Sequence, residues 1–567
     1  MDRITKSYLD EFVTSFGFEK LKDETKQFEH FVNYTLIDQR IEERFDIEEV
    51  NIGKDSTIGL DGFAIILNKR VITNDDELND ILKTHSDISA DIIFIQTKTS
   101  RNFETKEIGN FGWAISDFIS EKPKIKWSES AKEKIDLFNT LISYTSKLRS
   151  KPTCYLFYVT LGTKTDDQNI EAKINDVKKD IEAENLFSKI IFELYGANEI
   201  QSLYKKIGQA LSKSFEFPQK VMLPVIDKVK ESYLGVLKAS VIIELMTDEN
   251  GDLLPNVFYD NVRDFQGDNK VNKEIAQTIN SKYKDAFLIL NNGITIVTEE
   301  MKTTRNTFSI SNYQIINGCQ TSNVLYENLS EIDDSVMVPV KLISSKNPDI
   351  TSKLIRSTNR QTEVKEQDLI AFSNFQKKLE DYYKTFTGNN QLFYERRSKQ
   401  YSKSIIEKKR IVDKTTQIKS VASFYFDKPD MATRYFGTLF SDLGNKLFDE
   451  NHQLILYYTA SLALYRIDEA FRKGILDKRY KKIKYFILMM LRYEIDKNPL
   501  PPFNSNKMEK FCENVLKQIN SDKTFNKLLK NVIKKINSLR IDLDDREISK
   551  SKSLVTNCLR KYPGGKS

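Results

Sequence analysis

Residues 90–100, ADIIFIQTKTS, constrain the fold more than any other stretch of the sequence. The uninterrupted apolar run from Ile92 to Ile95 is typical of a strand that is buried on both faces of a sheet. The strand ends in Gln96 and Lys98, which are two residues apart and therefore lie on the same face. Burial of an unpaired lysine is costly, so a polar function at this strand end is expected.

Strand-like apolar runs alternate with helical patterns through the first part of the chain. A helix predicted over Asp75–Lys83 separates the first two runs, which are followed by TCYLFYVTLG and KIIFELYG. This alternation predicts an α/β domain over residues 1–215, with residues 68–90 inserted in a hairpin.

The rest of the chain divides into two further regions. Strand-like runs are frequent from about 235 to 345, namely SVIIELM, FLILNNGITIV, FSISNYQIING and VMVPVKLI, and residues 350–385 have helical spacing. Beyond 400, glycine and proline are scarce and apolar residues recur at helical intervals. We therefore expect an α/β protein with a mixed α+β domain over 216–400 and a mostly helical region over 401–567.

The composition excludes some kinds of metal site. The chain has 567 residues with four widely separated cysteines and three scattered histidines, which argues against zinc sites built from these residues. A metal here would be held by oxygen atoms, as Mg²⁺ or Mn²⁺ is. The cysteine pattern fits a reducing compartment.

The sequence also predicts a protein without a membrane partner. The N-terminal residues are charged and contain no apolar signal segment. The longest uncharged apolar run, over about a dozen residues from Leu454 to Tyr465, is shorter than the roughly 20 residues that a membrane span requires. We therefore expect a cytoplasmic protein.

A carboxylate precedes the first buried strand. Asp61 lies in the turn Gly59–Gly62, directly before the run FAIIL. Asp61 and Gln96 offer oxygen ligands to Mg²⁺, while Lys98 offers a cation beside a phosphate. Glu29, in a predicted helix, could orient water or bind a second ion. These four residues are the candidate catalytic set, with Asp61 and Gln96 as metal ligands.

This arrangement resembles the PD-(D/E)xK restriction-endonuclease-like superfamily, with Gln96 in place of the usual acidic residue. The resemblance implies a restriction-endonuclease-like N-terminal domain that cleaves DNA, with Asp61, Gln96 and Lys98 as the motif residues. Glu29 matches the helix glutamate of the superfamily more loosely, and Glu24 and Glu43 are alternatives. Because an amide is a weaker ligand than a carboxylate, Gln96 puts metal affinity in question. Cleavage of two strands would suit a homodimer.

Amide-rich turns recur in the central region. The strings LNNGITIV, YQIINGCQTSNVLYE and IRSTNRQTEVKEQDLIAF each join an apolar run to Asn, Gly, Gln, Thr or Arg. Asn-Gly pairs are mainly turn residues, yet glycine-flanked backbone at a helix start can also bind anions. The candidate ligand-binding or nucleotide-binding residues are Arg263, Asn292, Asn317, Gly318, Gln320, Thr321, Asn359 and Arg360.

These strings closely resemble the AIPR family, bacterial proteins named for abortive-infection phage resistance. The resemblance implies a role in phage defence, with a nuclease-like N-terminus coupled to the AIPR core. INGCQT is also faintly similar to the DGQHR motif of ParB/sulfiredoxin-like proteins, which adds a nucleotide to the candidate cofactors.

Basic residues interleaved with tyrosines characterise the strings YERRSKQYSKSIIEKKR and DKRYKKIKYF. Such clusters either bind a phosphate backbone or form a solvated helix face. The candidate DNA-binding residues are Arg396, Arg397, Lys399 and Lys403.

Two functions are consistent with these features. The first is a Mg²⁺-dependent endodeoxyribonuclease that attacks phage or host DNA under control of the AIPR core. The alternative is a nucleic-acid-binding or nucleotide-binding regulator of abortive infection, whose nuclease fold is catalytically degenerate.

Overall fold

The structure, a computed structural model, has hydrophobic clusters in the N-terminal, central and C-terminal parts of the chain. It describes residues 1–41, 43–52, 59–85, 88–164, 167–207, 211–248, 251, 253–258, 270–347, 350–351, 353–354, 374–396, 400–401, 406–433, 439, 442–543, 545 and 547–562. The predicted mixed α/β fold class with a mostly helical C-terminal region is confirmed. No helix in these ranges is long and apolar enough to cross a membrane.

The N-terminal domain is built on a five-stranded sheet with helices on both faces. Its strands are β1 Gly62–Leu67, β2 Arg70–Ile72, β3 Ala90–Lys98, β4 Thr153–Thr160 and β5 Lys189–Tyr195. The order is β2-β1-β3-β4-β5, with β1 antiparallel to β2 and β3, and with β3, β4 and β5 parallel. The insertion predicted between the first two long strands is present as β2 and a helix.

Eight helices belong to this domain. They are α1 Arg3–Phe16, α2 Glu24–Asp38, α3 Ile47–Val50, α4 Asp75–Thr84, α5 Thr105–Phe118, α6 Glu129–Ser143, α7 Gln168–Ala183 and α8 Ala197–Ile207. Side chains alternate along β3, so Ile92 and Phe94 pack with α4, α5, α6 and α7, while Ile93 and Ile95 pack with α1, α2 and α8. Burial on both faces explains why β3 has no polar residue between Ile92 and Ile95.

The central domain contains a six-stranded sheet. Its strands are β6 Ser212–Glu216, β7 Gln219–Met222, β8 Glu231–Lys238, β9 Ile294–Thr304, β10 Thr307–Asn317 and β11 Met337–Ser344, in the order β6-β10-β9-β11-β8-β7. The helices are α9 Ala239–Met246, α10 Lys270–Ile279, α11 Phe287–Leu290 and α12 Cys319–Glu327. The prediction that SVIIELM is a strand is wrong, because this run forms the buried helix α9. Likewise FLIL, the start of FLILNNGITIV, is the short helix α11.

The C-terminal region is mostly helical. Its helices are α13 Asn374–Lys384, α14 Lys414–Tyr425, α15 Pro429–Ala432, α16 Leu454–Arg472, α17 Lys484–Ile495, α18 Asn506–Asn520, α19 Asp522–Asn537 and α20 Lys552–Leu559. Strands β12 Phe393–Glu395 and β13 Ile411–Asp413 pair in parallel. Short 3₁₀ helices lie at Thr145–Lys147, Pro255–Phe258, Lys284–Ala286, Leu329–Glu331, Gly388–Asn390, Lys408–Arg410, Gly444–Lys446, Lys478–Ile483 and Ile548–Lys550.

Hydrophobic packing shifts both expected domain boundaries. Strand β6 pairs with β10, so the central sheet begins at Ser212 rather than after residue 215. At the other boundary, α13 and β12 pack into the C-terminal core instead of the central one. Tyr383 of α13, for example, donates a hydrogen bond to Gln417 of α14 at 2.5 Å. The C-terminal unit therefore includes residues 374–396, which the sequence analysis assigned to the central domain.

Candidate functional site

Asp61 lies at the start of β1, beside the carboxyl end of β3. Its backbone N–H donates to the carbonyl of Ile95 at 2.9 Å, and the register pairs Gly62 with Ile95. Its Oδ2 accepts hydrogen bonds from the Thr97 backbone N–H at 2.7 Å, the Thr97 hydroxyl at 2.9 Å and the Gln96 amide at 2.7 Å. The antiparallel β1–β3 pair thus brings Asp61 and Gln96 together, although they are 35 residues apart.

The side-chain oxygen of Gln96 is an unpaired hydrogen-bond acceptor within the described residues. The side chain is 4% exposed, and its Oε1 is buried without a hydrogen-bond partner among the described residues. A buried acceptor without a donor is costly, and such atoms in native structures call for an explanation. The amide nitrogen donates to Asp61 Oδ2 and to the carbonyl of Thr97, so Oε1 is the one polar atom of this side chain without a partner among the described residues.

The electrostatics of Asp61 also favour a cation. Burial raises the pKa of the carboxyl group, and the hydrogen bonds from Thr97 and the charge of Lys98 oppose that shift only in part. Within the described residues, Oδ1 accepts no hydrogen bond, since all three donors bind Oδ2. A buried carboxylate with one open oxygen is stabilised when a cation binds it.

Glu29 on α2 is electrostatically coupled to Asp61. Burial raises its pKa to about 7, and the negative charge of Asp61 contributes further to that shift. The two alternatives are occupied elsewhere: Glu24 is exposed and pairs with Lys6 at 2.9 Å, and Glu43 pairs with Arg70. The structure therefore favours Glu29 as the helix carboxylate of this cluster.

Lys98 has a partner that the sequence analysis missed. Its Nζ lies 2.7 Å from Oε2 of Glu107 in the first turn of α5, and both side chains are partly exposed. The hydrogen bond from Lys98 lowers the pKa of Glu107. The sequence predicts a helix after β3, but it does not indicate which residue of that helix contacts Lys98.

The oxygen donors fit a hard cation. One carboxylate, that of Asp61, and one amide oxygen, that of Gln96, with Glu29 electrostatically coupled to Asp61, resemble the sparse protein ligand set that Mg²⁺ uses when it keeps several waters. No group of three or more His, Cys, Asp or Glu residues suited to a metal occurs in the described ranges. Any ion here would therefore depend on Gln96 as well as on the carboxylates.

The second candidate cluster lies where β9 begins and β10 ends. Asn317 pairs in register with Thr295, and the amide of Asn291 donates to the Thr321 hydroxyl at 3.1 Å. Asn317 Oδ1 accepts from the backbone N–H of Gly318 at 2.9 Å. Asn291, which the sequence analysis did not select, holds this turn, whereas Asn292 is exposed to solvent. Asn317 and Thr321 thus have roles within the turn itself.

The two glycines of this cluster are required by close packing. Gly293 and Gly318 have φ values of +78° and +91°, which L side chains rarely adopt. A Cβ at Gly318 would lie 2.7 Å from Cγ1 of Ile294. Gln320 lies beside them, half-buried in the first turn of α12. Arg263, Asn359 and Arg360 lie outside the described residues, so their part in ligand binding stays a prediction.

The comparisons with known proteins identify the central and C-terminal parts of the chain. The family model described as AIPR protein matches residues 258–546, which is half of the sequence. The chain belongs to the AIPR family. No curated protein and no solved structure matches it. Membership in this family points to abortive-infection defence against phage.

The AIPR match extends through the helical region and excludes the N-terminal domain. It begins within the central domain and ends after α19, so the AIPR unit combines residues of the central and the C-terminal hydrophobic clusters. The cluster at Asp61 lies outside this match.

Of the four basic residues predicted to bind DNA, the structure describes Arg396. Arg397, Lys399 and Lys403 lie outside the described residues. Arg396 is 5% exposed, and its Nε donates to Glu380 at 3.1 Å. Arg396 is thus held in a buried ion pair, and DNA binding by these four residues stays a prediction.

Proposed function

We propose that this AIPR protein is a metal-dependent DNA endonuclease of abortive infection, with its active site at Asp61, Gln96, Lys98 and Glu29. The observation that carries the proposal is the unpaired, buried Oε1 of Gln96, whose amide nitrogen donates a hydrogen bond to Asp61. The sheet topology also supports it, since the strand pair β1–β3 joins the two halves of the motif.

Each residue has a role that follows from its position. Asp61 and Gln96 would hold the ion, and Mg²⁺ when bound would supply charge that stabilises the transition state at the phosphate. Glu29 accepts a proton from the attacking water, and a pKa of about 7 suits a general base near neutral pH. Lys98 offers its positive charge to the scissile phosphate, and Glu107 orients the ammonium group.

The experiment is plasmid cleavage by the full chain in Mg²⁺ or Mn²⁺. Asp61→Asn and Lys98→Gln should each lower the rate by about 10²–10³-fold, as loss of one electrostatic contact typically does. Asp91→Asn and Lys132→Gln are matched controls in the same domain and should cleave normally. Full activity of Asp61→Asn would refute the assignment.

Metal affinity gives a second readout that does not depend on cleavage. Gln96→Glu should keep or raise the affinity for Mn²⁺, because a carboxylate is a stronger ligand than an amide, and Gln96→Leu should lower it. Equal affinities in wild type and both variants would remove Gln96 from the site.

One observation favours the alternative function, a regulator with a degenerate nuclease fold. Three protein donors already satisfy Asp61 Oδ2, and Glu107 already neutralises Lys98. A regulator of this kind would bind nucleic acid or a nucleotide in EDTA and would cleave nothing in either metal.

A further inference from the structure

Two lysines of the basic string DKRYKKIKYF pair with carboxylates of the N-terminal domain. Lys481 pairs with Glu48 and lies 3.4 Å from Oδ2 of Asp46, and Lys482 lies 3.5 Å from Oε1 of Glu133. Burial opposes ionisation of Asp46 and Glu48, yet the charge of Lys481 lowers the pKa of both. The lysines that the sequence would assign to a phosphate backbone are thus neutralised by carboxylates of the same chain.

Two more lysines of the C-terminal region repeat this pattern. Lys409 lies 3.7 Å from Glu19, and Lys550 lies 3.1 Å from Asp76. We call Lys409, Lys481, Lys482 and Lys550 the lysine face. We call their partners the acidic face, which consists of Glu19, Asp46, Glu48, Asp76 and Glu133. Every one of these pairs puts the carboxylate on the N-terminal domain and the lysine on the C-terminal region.

The contact between the two units lacks an apolar core. None of the hydrophobic clusters in the described ranges contains residues from both the N-terminal domain and the C-terminal region. A cavity of about 390 Å³ remains between the units, with Glu43 and Glu49 on one wall and Lys408 and Lys419 on the other. Polar, incompletely packed interfaces of this kind permit relative domain movement.

We propose that the lysine face is a nucleic-acid-binding surface and that the acidic face covers it in the resting protein. The carboxylates occupy the positions that phosphates of a nucleic acid would take, so a polyanion competes with the N-terminal domain for the same lysines. Binding of nucleic acid then releases the N-terminal domain. Any effect of this domain release on DNA cleavage rests on the proposed nuclease function. The binding of nucleic acid and the release of the N-terminal domain do not.

The charges decide in favour of nucleic acid as the partner. Lysine contacts with phosphate gain affinity from released counterions, whereas pairs between partly exposed side chains are weak and screened by salt. A duplex also presents many phosphates in series, and the acidic face presents only five carboxylates. A nucleic acid therefore displaces the acidic face by binding the same lysines, and no additional binding pocket is required.

Binding in EDTA tests the first half of the proposal. A labelled 30-base-pair duplex is titrated with the full chain at several salt concentrations, and nuclease activity plays no part. Asp46→Asn with Glu48→Gln should tighten binding about tenfold by uncovering the lysines. Lys481→Glu with Lys482→Glu should weaken it at least tenfold and lower the salt slope by roughly one unit per lost phosphate contact.

A matched control separates unmasking from a simple change of net charge. Glu300 pairs with Lys346 in the central domain, away from both faces, so Glu300→Gln removes one carboxylate from an unrelated ion pair. It should leave the affinity for the duplex within twofold. Equal tightening by Glu300→Gln and by the acidic-face variant, or wild-type binding by Lys481→Glu with Lys482→Glu, would overturn the proposal. So would selective binding of anionic lipid vesicles with no affinity for the duplex.

Distance measurements test release. The four native cysteines are buried, so spin labels can be directed to Glu129→Cys and Lys497→Cys on the two units. Saturating duplex should lengthen and broaden the distance distribution. Reversing both faces, with Asp46→Lys, Glu48→Lys, Lys481→Glu and Lys482→Glu, should restore the resting distance and abolish the response. An unchanged distribution in the wild type at saturation would overturn the release, whatever the outcome of the cleavage assays.

Discussion

At the residue scale, half-buried aspartates lie near both ends of β3. Asp61 faces the polar end at Gln96, and Asp91 lies at the other end, where the strand begins. Burial raises the pKa of Asp91 to about 6, and the charge of Arg40 opposes this shift only in part. The two carboxyl groups have similar environments, but only Asp61 has a buried, unpaired acceptor as its neighbour.

The raised pKa of Asp91 predicts a pH-dependent stability. An unfolded Asp ionises near pH 3.8, whereas the folded group holds its proton up to about pH 6, so folding is disfavoured increasingly as pH rises through this window. Asp91→Asn should therefore leave the free energy of unfolding unchanged below pH 4 and raise it by about 1–3 kcal/mol above pH 7. Urea denaturation at pH 4, 6 and 8 measures this difference. A variant less stable than wild type at pH 8 would show that the pair with Arg40 outweighs the cost of burial.

Sequence alone can predict that Asp61, Gln96 and Lys98 lie at one edge of the sheet. When two strands pair antiparallel, the start of the first strand lies beside the end of the second, and so do the polar residues found there. It cannot choose among Glu24, Glu29 and Glu43, since that choice depends on which face of α2 packs on the sheet. The contacts of Thr97 with Asp61 and of Glu107 with Lys98 could not be predicted, because tertiary packing sets them and the local sequence pattern does not.

At the scale of elements, the contact between α2 and β1 sets the position of the helix carboxylate. Asn33 and Glu29 are four residues apart on α2 and therefore lie on one helix face. A Cβ at Gly62 would lie only 2.4 Å from Oδ1 of Asn33, so the absence of a side chain at Gly62 lets α2 approach β1 this closely. The distance between Glu29 and Asp61 depends on that approach.

Gly62→Ala should therefore act on the site through the helix. The added methyl group displaces Asn33 and α2, which should weaken Mn²⁺ binding and lower cleavage by roughly 10²-fold, as a small displacement of a catalytic group does. Gly112→Ala is the matched control, since its Cβ would lie 2.5 Å from Cγ2 of Val177 in the α5–α7 contact. Both variants should lose about 1–3 kcal/mol of stability from overpacking, but only Gly62→Ala should lose metal affinity. Equal losses of affinity would show a general effect of destabilisation.

Long periodic elements are predictable here, and short apolar runs are not. The helix over Asp75–Lys83 and the strands ending at Lys98 and Thr160 have clear patterns and agree with the structure. SVIIELM is short and rich in Val and Ile, so its apolar run alone does not distinguish a helix from a strand. In the structure Ile242, Ile243 and Leu245 pack in the central core, while Ser240 and Glu244, four residues apart, are exposed on the other face of the helix.

At the scale of the whole molecule, one ion pair between the N-terminal domain and the C-terminal region has the reverse arrangement of charges from the pairs of the lysine face. Arg44 of the N-terminal domain binds Glu395 of the C-terminal region through two hydrogen bonds, of 2.7 and 2.9 Å. The exposed fractions of the side chains are 20% and 3%, so this pair is more buried than the pairs of the lysine face. A two-point bond between a guanidinium and a carboxylate has a fixed geometry, which suits an anchor rather than a competitive contact.

Glu395→Gln should consequently destabilise the protein by about 2–4 kcal/mol, because Arg44 keeps its charge at a mostly buried position after its partner is neutralised. Replacing both residues, with Arg44→Met and Glu395→Leu, should recover part of that loss, since neither charge is then buried alone. Thermal unfolding of Arg44→Met, Glu395→Leu and the double variant gives the coupling free energy of the pair. The exposed pair Lys346–Glu300 is the control, and Glu300→Gln should not change the melting temperature measurably. If Glu395→Gln behaves like this control, the anchor is absent in solution, and the more exposed polar contacts, among them the pairs of the lysine face and Arg149–Glu327, hold the N-terminal domain against the AIPR unit.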